Sequence, residues 1–284
     1  MNKKIKTKSV KDYRFAIRKV LEDATAELNT LNNLANPDVA FDEENHRYIN
    51  RRTGEPYAGV SEIISLKTKS FMAPWAALET ARYLGWENEE RTKEILEGKW
   101  TYQQWQDLLK EAKASHRQIS QDAQTSGSIT HEWIEKSIWA EMNEEELPEI
   151  PEDNTEAYNA IHAYLKWRKN QDIIWHASEL VVASDLYRFA GTLDALATIN
   201  GRLTLMDFKS SKNFYPEMEL QLGAYLLALE EMQVFPQDAI ILRLPKDGTD
   251  AIVKPMTIPY DLCRRTFLAL REVKKWESYV ANHN

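Results

Sequence analysis

A single cysteine, Cys263, is all that the 284 residues contain. That scarcity excludes an internal disulfide and any metal centre built on several thiolates, iron–sulfur clusters included. Cys263 itself reads as helix packing. Also missing is any apolar run approaching the roughly 18 residues that a membrane-spanning helix needs. The basic start, "MNKKIKTKSVKDYRF", has no apolar stretch behind its lysines of the kind a signal peptide carries. A soluble chain in a reducing, cytoplasmic compartment is expected. Positive charge is in short supply too: 36 Lys and Arg face 44 Asp and Glu, for a formal charge of -8. A protein that coats nucleic acid through overall charge is therefore excluded, and any phosphate contact must use local positive charge. Two stretches offer it, the lysine-rich start and "HRYINRR" with Arg47, Arg51 and Arg52. Each is either a phosphate contact or a solvated tail or hairpin.

What is present suffices for a sizeable core, since 43% of the residues are apolar. Apolar positions at helical spacing predict a helix from Tyr13 to about Leu34. "VAFDEENHRYINRRTGEPYAG" alternates and turns like a small hairpin, and "VSEIISL" reads as a short helix with a serine cap. Residues 72–141 are mostly helical in pattern and rich in tryptophan. Those rings suit either base stacking or, more simply, helix packing. "EMNEEELPEIPEDNTE" is acidic, proline-punctuated and aperiodic, so an exposed loop is expected there. Beyond it the pattern runs helix, three strands, helix, two strands and a closing helix from about Pro259. A helix between two strands of one sheet makes a right-handed crossover to a parallel neighbour. The fold class is accordingly α/β, with a mixed central sheet covered by helices on both faces.

The chemistry gathers around "DALATINGRLTLMDFKSS". Asn200–Gly201 is a strong signal for a two-residue type I′ turn, because both central residues need positive φ. With that turn Ile199 faces Arg202, and counting outward sets Asp194 against Asp207. Leu196, Leu203 and Leu205 share the face of the two acids, while Leu193, Ala195, Ala197, Ile199, Met206 and Phe208 line the other. Both faces are apolar, so two unpaired carboxylates here would cost several kcal/mol or share a proton. Two arrangements relieve the conflict. A divalent cation can bridge both acids, carboxylate oxygens being natural ligands of magnesium and manganese. Alternatively Lys209, two residues beyond Asp207, pairs with it at the sheet edge while Asp194 reaches solvent.

Further along, "GSITHEWIE" sets His131 at the margin of a packed helical arc, with Gly127 permitting close approach and Glu135 one turn on. "QLGAY" places Gln221 and Tyr225 one turn apart on the helix that leaves the hairpin. Separately, each is compatible with ordinary packing.

In order, "GSITH", "GTLD", "DFK" and "QLGAY" resemble the PD-(D/E)XK nuclease superfamily, and within it the RecB-like exonuclease branch of phage and mitochondrial type. "HRYINRRTGEPYAGVSEII" is similar to the amino-terminal part of those members. The resemblance implies a restriction-endonuclease-like core over residues 126–284, preceded by a mainly helical region, 1–125, that includes a small β-hairpin. It implies His131, Asp194 and Asp207 as ligands of one or two Mg2+ or Mn2+ ions, with the carbonyl of Phe208 as an addition, and Lys209 as the catalytic lysine. Gln221 and Tyr225 fall where this branch supports the site and contacts the DNA strand. Glu135 and Glu179 are neighbours that could assist a second metal. Leu193 replaces the proline of the superfamily's name, and Asp207 stands where many members carry glutamate. The implied activity is metal-dependent hydrolysis of DNA, by an exonuclease acting on ends or single strands, in the cytoplasm of a bacterial or phage-infected cell. An endonuclease of the same fold is the alternative within that chemistry; a catalytically idle binding module is the alternative outside it.

Overall fold

The computed structural model describes residues 38–67 and 72–283. The helix expected from Tyr13 and the basic start lie outside the described residues. The chain enters as a three-stranded meander, β1 (Val39–Asp42), β2 (Arg47–Asn50) and β3 (Pro56–Gly59). A short helix α1 (Val60–Ser65) follows directly. Its cap is not a serine. Gly59 occupies the N-cap and donates its N–H to Glu62 Oε2 at 3.3 Å, whereas Ser61 already sits inside the first turn, too late for its hydroxyl to cap the free amides.

Helices α2 (Met72–Leu84) and α3 (Glu89–Leu96) lead to α4 (Tyr102–Met142), the longest element. Thr101 starts it with a reciprocal cap: Gln104 Oε1 accepts from Thr101 N at 2.8 Å, and Thr101 Oγ1 accepts from Gln104 N at 3.3 Å. At 1.5 Å per residue the helix is roughly 60 Å long. Residue 125 lies inside it, well before its end. α2 packs along its first half, and α5 (Thr155–Arg168) along its second. The acidic connection between α4 and α5 is not wholly exposed. Trp133 donates its indole N–H to the carbonyl of Glu149 at 3.0 Å, and Ile150 packs against the core, so a buried tryptophan anchors the segment.

The central sheet contains β4 (Ile173–Ser184), β5 (Phe189–Ile199), β6 (Arg202–Lys209), β7 (Asp238–Arg243) and β8 (Ile252–Pro255). Between β6 and β7 runs α6 (Pro216–Glu231), and α7 (Tyr260–His283) closes the chain. β6 and β7 are parallel, as the crossover rule requires, and β8 returns antiparallel. The Asn200–Gly201 turn has φ of 49° and 78° and sets Ile199 opposite Arg202.

β5 has three partners. β4 follows one edge from Ser184↔Phe189 to Ile173↔Ile199. The other edge is shared: β6 pairs antiparallel from Ile199 to Ala195, and β3 pairs parallel at Phe189 and Ala190. Residues 191–194 fall in the gap between those two neighbours.

Leu196, Leu203 and Leu205 pack with Leu222 and Leu227 of α6 and Phe267 of α7, while Ala195, Ala197, Met206 and Phe208 pack with Ile134 and Ile138 of α4 and Ile161 of α5. Helices thus cover both faces, as expected. Leu193 is a correction. It joins the Leu196 cluster and not that of Ala195, because β5 has already parted from β6 at this point and Glu179, next to the Leu180 that faces it on β4, leaves extended backbone with φ of 48°. Trp133 and Trp175 are core residues, whereas Trp86, Trp139 and Trp276 are exposed. No helix among the described residues is long and apolar enough to cross a membrane.

A buried ion pair locks α6 to the segment before α7. Glu219 is 1% exposed, yet its carboxylate accepts from the amides of Thr257 and Ile258 at 2.6 Å each and meets Lys254 Nζ at 2.6 Å. Burial alone would raise its pKa; the Ile258 amide, Lys254 and Thr257 outweigh it and hold the carboxyl at about 2. Because the folded-state pKa lies below the ordinary 4.5, this stabilisation is complete above 4.5 and fades as pH falls towards 2. Glu219→Gln is expected to cost about 3 kcal/mol at pH 7 by urea unfolding. The gap to the unsubstituted protein should narrow as the titration is repeated at progressively lower pH.

Candidate active site at the β5–β6 fork

The last paired rung of the β5–β6 hairpin is Ala195↔Met206. Counting sets Asp194 against Asp207, as expected, but the rung is not made. The strands part there, and Asp194 Oδ2 accepts the N–H of Phe208 at 2.6 Å. Two like charges across a rung repel, and the parting separates them while the carboxylate takes over the partner role that a backbone carbonyl would have had.

Four further side chains converge on the fork. β4 places Glu179 opposite Asp194, between the rungs Ser178↔Ala195 and Leu180↔Leu193. From α4, His131 brings Nδ1 to 3.8 Å from Asp194 Oδ2, with its ring edge-on to Phe208 at 6.3 Å between centroids. Lys209 Nζ lies 2.8 Å from Asp207 Oδ1 and 2.7 Å from Oδ2. Glu135, one helical turn after His131, is close enough to act electrostatically on Glu179. Ligand atoms of His131, Glu179 and Asp194 all lie within 4.8 Å of one another, and Asp207 stands beside this trio, held by Lys209.

The electrostatics are unfavourable to three carboxylates at once. Glu179 is pushed up to about 8, first by burial and then by the charges of Asp194 and Glu135. Burial also pushes Asp207 upward, with Asp194 adding to it and Lys209 opposing. Burial works against the Lys209 ammonium, but Asp207, Asp194 and Glu179 outweigh it and keep the lysine charged. Asp207 is fully buried, and its Oδ2, although close to the ammonium, has no hydrogen-bond donor. A hard donor set of carboxylates and one imidazole, an acceptor without a donor, and acids holding protons against repulsion together fit a divalent cation of the magnesium or manganese kind.

Supporting residues surround the fork. Gln221 Nε2 donates to Tyr225 Oη at 2.9 Å, and burial raises the pKa of that hydroxyl. Tyr225 lies so close to β5 that a Cβ on Gly191 would come within 2.8 Å of its ring, which explains glycine in "GTLD". At Gly127 a Cβ would meet Ser210 Oγ at 3.2 Å, so α4 does approach the strand end closely. The side chain of Phe208 is buried in the α4–α5 core. Glu179, expected as a neighbour that assists, stands among the converging side chains. Its signal was an acid inside the apolar strand "IIWHASELVVAS", and what brings it inward, a positive φ opposite Asp194, leaves no mark in the residue string.

A model of the PD-(D/E)XK nuclease superfamily matches residues 75–282. The chain belongs to that superfamily. A search of curated proteins gives no match. Among solved structures, one described as "Crystal structure of SSO0001" is 17% identical with a TM-score of 0.27, over 40% of this chain and 54% of that one, a likeness too slight to carry an argument.

Members of the PD-(D/E)XK superfamily are metal-dependent nucleases, and a group of His131, Glu179 and Asp194 at ligand spacing accords with that. Titration calorimetry with Mn2+ should show uptake that Asp194→Asn abolishes. Because a bound cation displaces protons from raised carboxyls, the heat should vary with buffer ionisation enthalpy at pH 7, and Glu179→Gln should reduce that variation.

Proposed function

We propose that this nuclease is a Mg2+- or Mn2+-dependent deoxyribonuclease that degrades DNA from its ends, as an exonuclease of the RecB-like branch. The observation that carries the hydrolytic reading is the meeting of His131, Glu179, Asp194, Asp207 and Lys209 at one fork in the sheet. The exonuclease part is supported by the ordered resemblance of "GSITH", "GTLD", "DFK" and "QLGAY" to that branch.

In this reading His131, Asp194, Asp207 and Glu179 hold the cation, with the Phe208 carbonyl as a further ligand and Glu135 as an outer acid. When bound, the dication supplies Lewis acidity and eases ionisation of water. Lys209, fixed by its two contacts to Asp207, orients the attacking water and offsets negative charge that builds on the phosphate. Asp194 has a second task, since its bond to the Phe208 amide fixes the carboxylate at the parting of the strands. Gln221 and Tyr225 brace β5 from α6 and face the DNA strand. An acidic chain can thus engage a polyanion because attraction is concentrated in the cation and a few basic groups.

Linear and circular DNA, end-labelled where possible, distinguish the readings. With Mn2+ the linear substrate should be degraded and the circle spared, and a chelator should stop the reaction. Asp207→Ala and Lys209→Ala should fold and lose at least about a hundredfold in rate. Cutting of the circle would make the enzyme an endonuclease. Neither uptake of Mg2+ or Mn2+ nor cleavage would leave an idle binding module.

A further inference from the structure

Beside the fork lies a second feature that hydrolysis alone does not require. A cavity of about 530 Å³ opens from Asp194 and is lined on its outer side by Phe41, His46, Arg47 and Tyr48 and on its inner side by Gln221 and Tyr225. Its outer wall is built by the strand register. Phe41 pairs with Tyr48 across β1 and β2, and Tyr48 pairs with Tyr57 across β2 and β3, so three aromatic rings form a row on one face of the meander. Alternation along β1 places Phe41 on the face of buried Val39. Tyr57 completes its burial there, while Phe41 and Tyr48 stay half-exposed. The ring centroids of Phe41 and Tyr48 are 4.9 Å apart, and His46 meets Phe41 edge-on at 5.1 Å from a turn residue with φ of 50°.

The row is tied to the catalytic fork. Tyr48 Oη lies 2.9 Å from Thr192 Oγ1, two residues before Asp194, and Tyr48 is near enough to Glu179 to feel its charge. Arg47 stands at the mouth with 55% of its side chain exposed, and its contact to Asp42 is long at 3.5 Å, which leaves the guanidinium able to turn to a phosphate. Glu62, also on the wall, is paired with Lys274 at 2.7 Å.

We propose that this cleft is a stacking subsite for an unpaired DNA base next to the scissile phosphate, with Phe41, His46 and Tyr48 as its wall and Arg47 as its phosphate contact. The inference rests on the nuclease reading above and deepens it by naming the form of the substrate. The volume falls within the range of about 300–1,000 Å³ typical of small-molecule pockets, enough for one or two nucleotides and far too little for a duplex. Aromatic rings beside a basic group are what sequence-tolerant binding of single strands uses, every base having a π-face. Tyr48 is fixed as the back of the wall, packed against the cluster of Val39 and Tyr57, whereas Phe41 is not part of that cluster.

The experiment compares two single-stranded oligonucleotides with Mn2+, one intact and one abasic at the terminal nucleotides. The unsubstituted enzyme should show a KM about tenfold higher for the abasic strand with kcat within about twofold, the size expected for one stacked base. The double variant Phe41→Leu, His46→Asn, which preserves an apolar residue and a side chain tolerant of positive φ, should show that same raised KM on the intact strand and no further rise on the abasic one. Equal KM values for intact and abasic strands in the unsubstituted enzyme overturn the proposal whether or not the variant folds. Rises that simply add between variant and abasic strand also overturn it. If the unsubstituted enzyme cleaves neither strand, the subsite falls, and the nuclease reading falls with it only where linear duplex is spared too; cleavage of both with equal KM leaves that reading standing.

Discussion

Mutual repulsion among carboxylates at the sheet fork is the constraint on which the rest of the architecture depends. Asp207 and Glu179 lie beside Asp194 where burial already penalises their charge, and among the described residues Lys209 opposes them. The fold meets this with geometry. β6 leaves β5 one rung early, a carboxylate accepts a strand amide, and β4 turns one residue into left-handed backbone to present a third acid. Each departure from a regular sheet would be a defect in a structural domain. Here they converge on one spot, which is the reason for proposing chemistry there.

Much of this was legible in the residues. Asn200–Gly201 determined the hairpin register, and alternation from it correctly separated Leu196, Leu203 and Leu205 from Ala195, Ala197, Met206 and Phe208. The crossover through α6 followed from strand and helix order alone. The same arithmetic failed at Asp194 and Leu193, for a physical reason. Counting assumes that the ladder continues, whereas β3, more than a hundred residues earlier in the chain, takes over the edge of β5 at Ala190. A long-range parallel pair of this kind has no periodic signature. Glu179 was missed as a full partner for a related reason, its inward turn being set by tertiary packing and not by local propensity.

The counterpart to the repulsive fork is the buried Glu219. It too is a carboxylate out of water, yet two backbone amides, a hydroxyl and Lys254 satisfy it, and its pKa moves down where that of Glu179 moves up. The comparison separates two uses of buried charge within one molecule. A saturated acid fastens elements together; an unsaturated one waits for a partner from outside.

The unbroken course of α4 has its own consequence. Its first half is gripped by α2, where Tyr83 Oη reaches Glu111 at 2.9 Å, while its second half carries His131 into the fork. Glu111 and His131 are separated by about 30 Å of helix with no proline or cap between them. Such an element behaves as a strut. Residues 117–125, between the two packed halves, are exposed, so the helix's own backbone is what carries any displacement of the outer helices to the segment that bears His131.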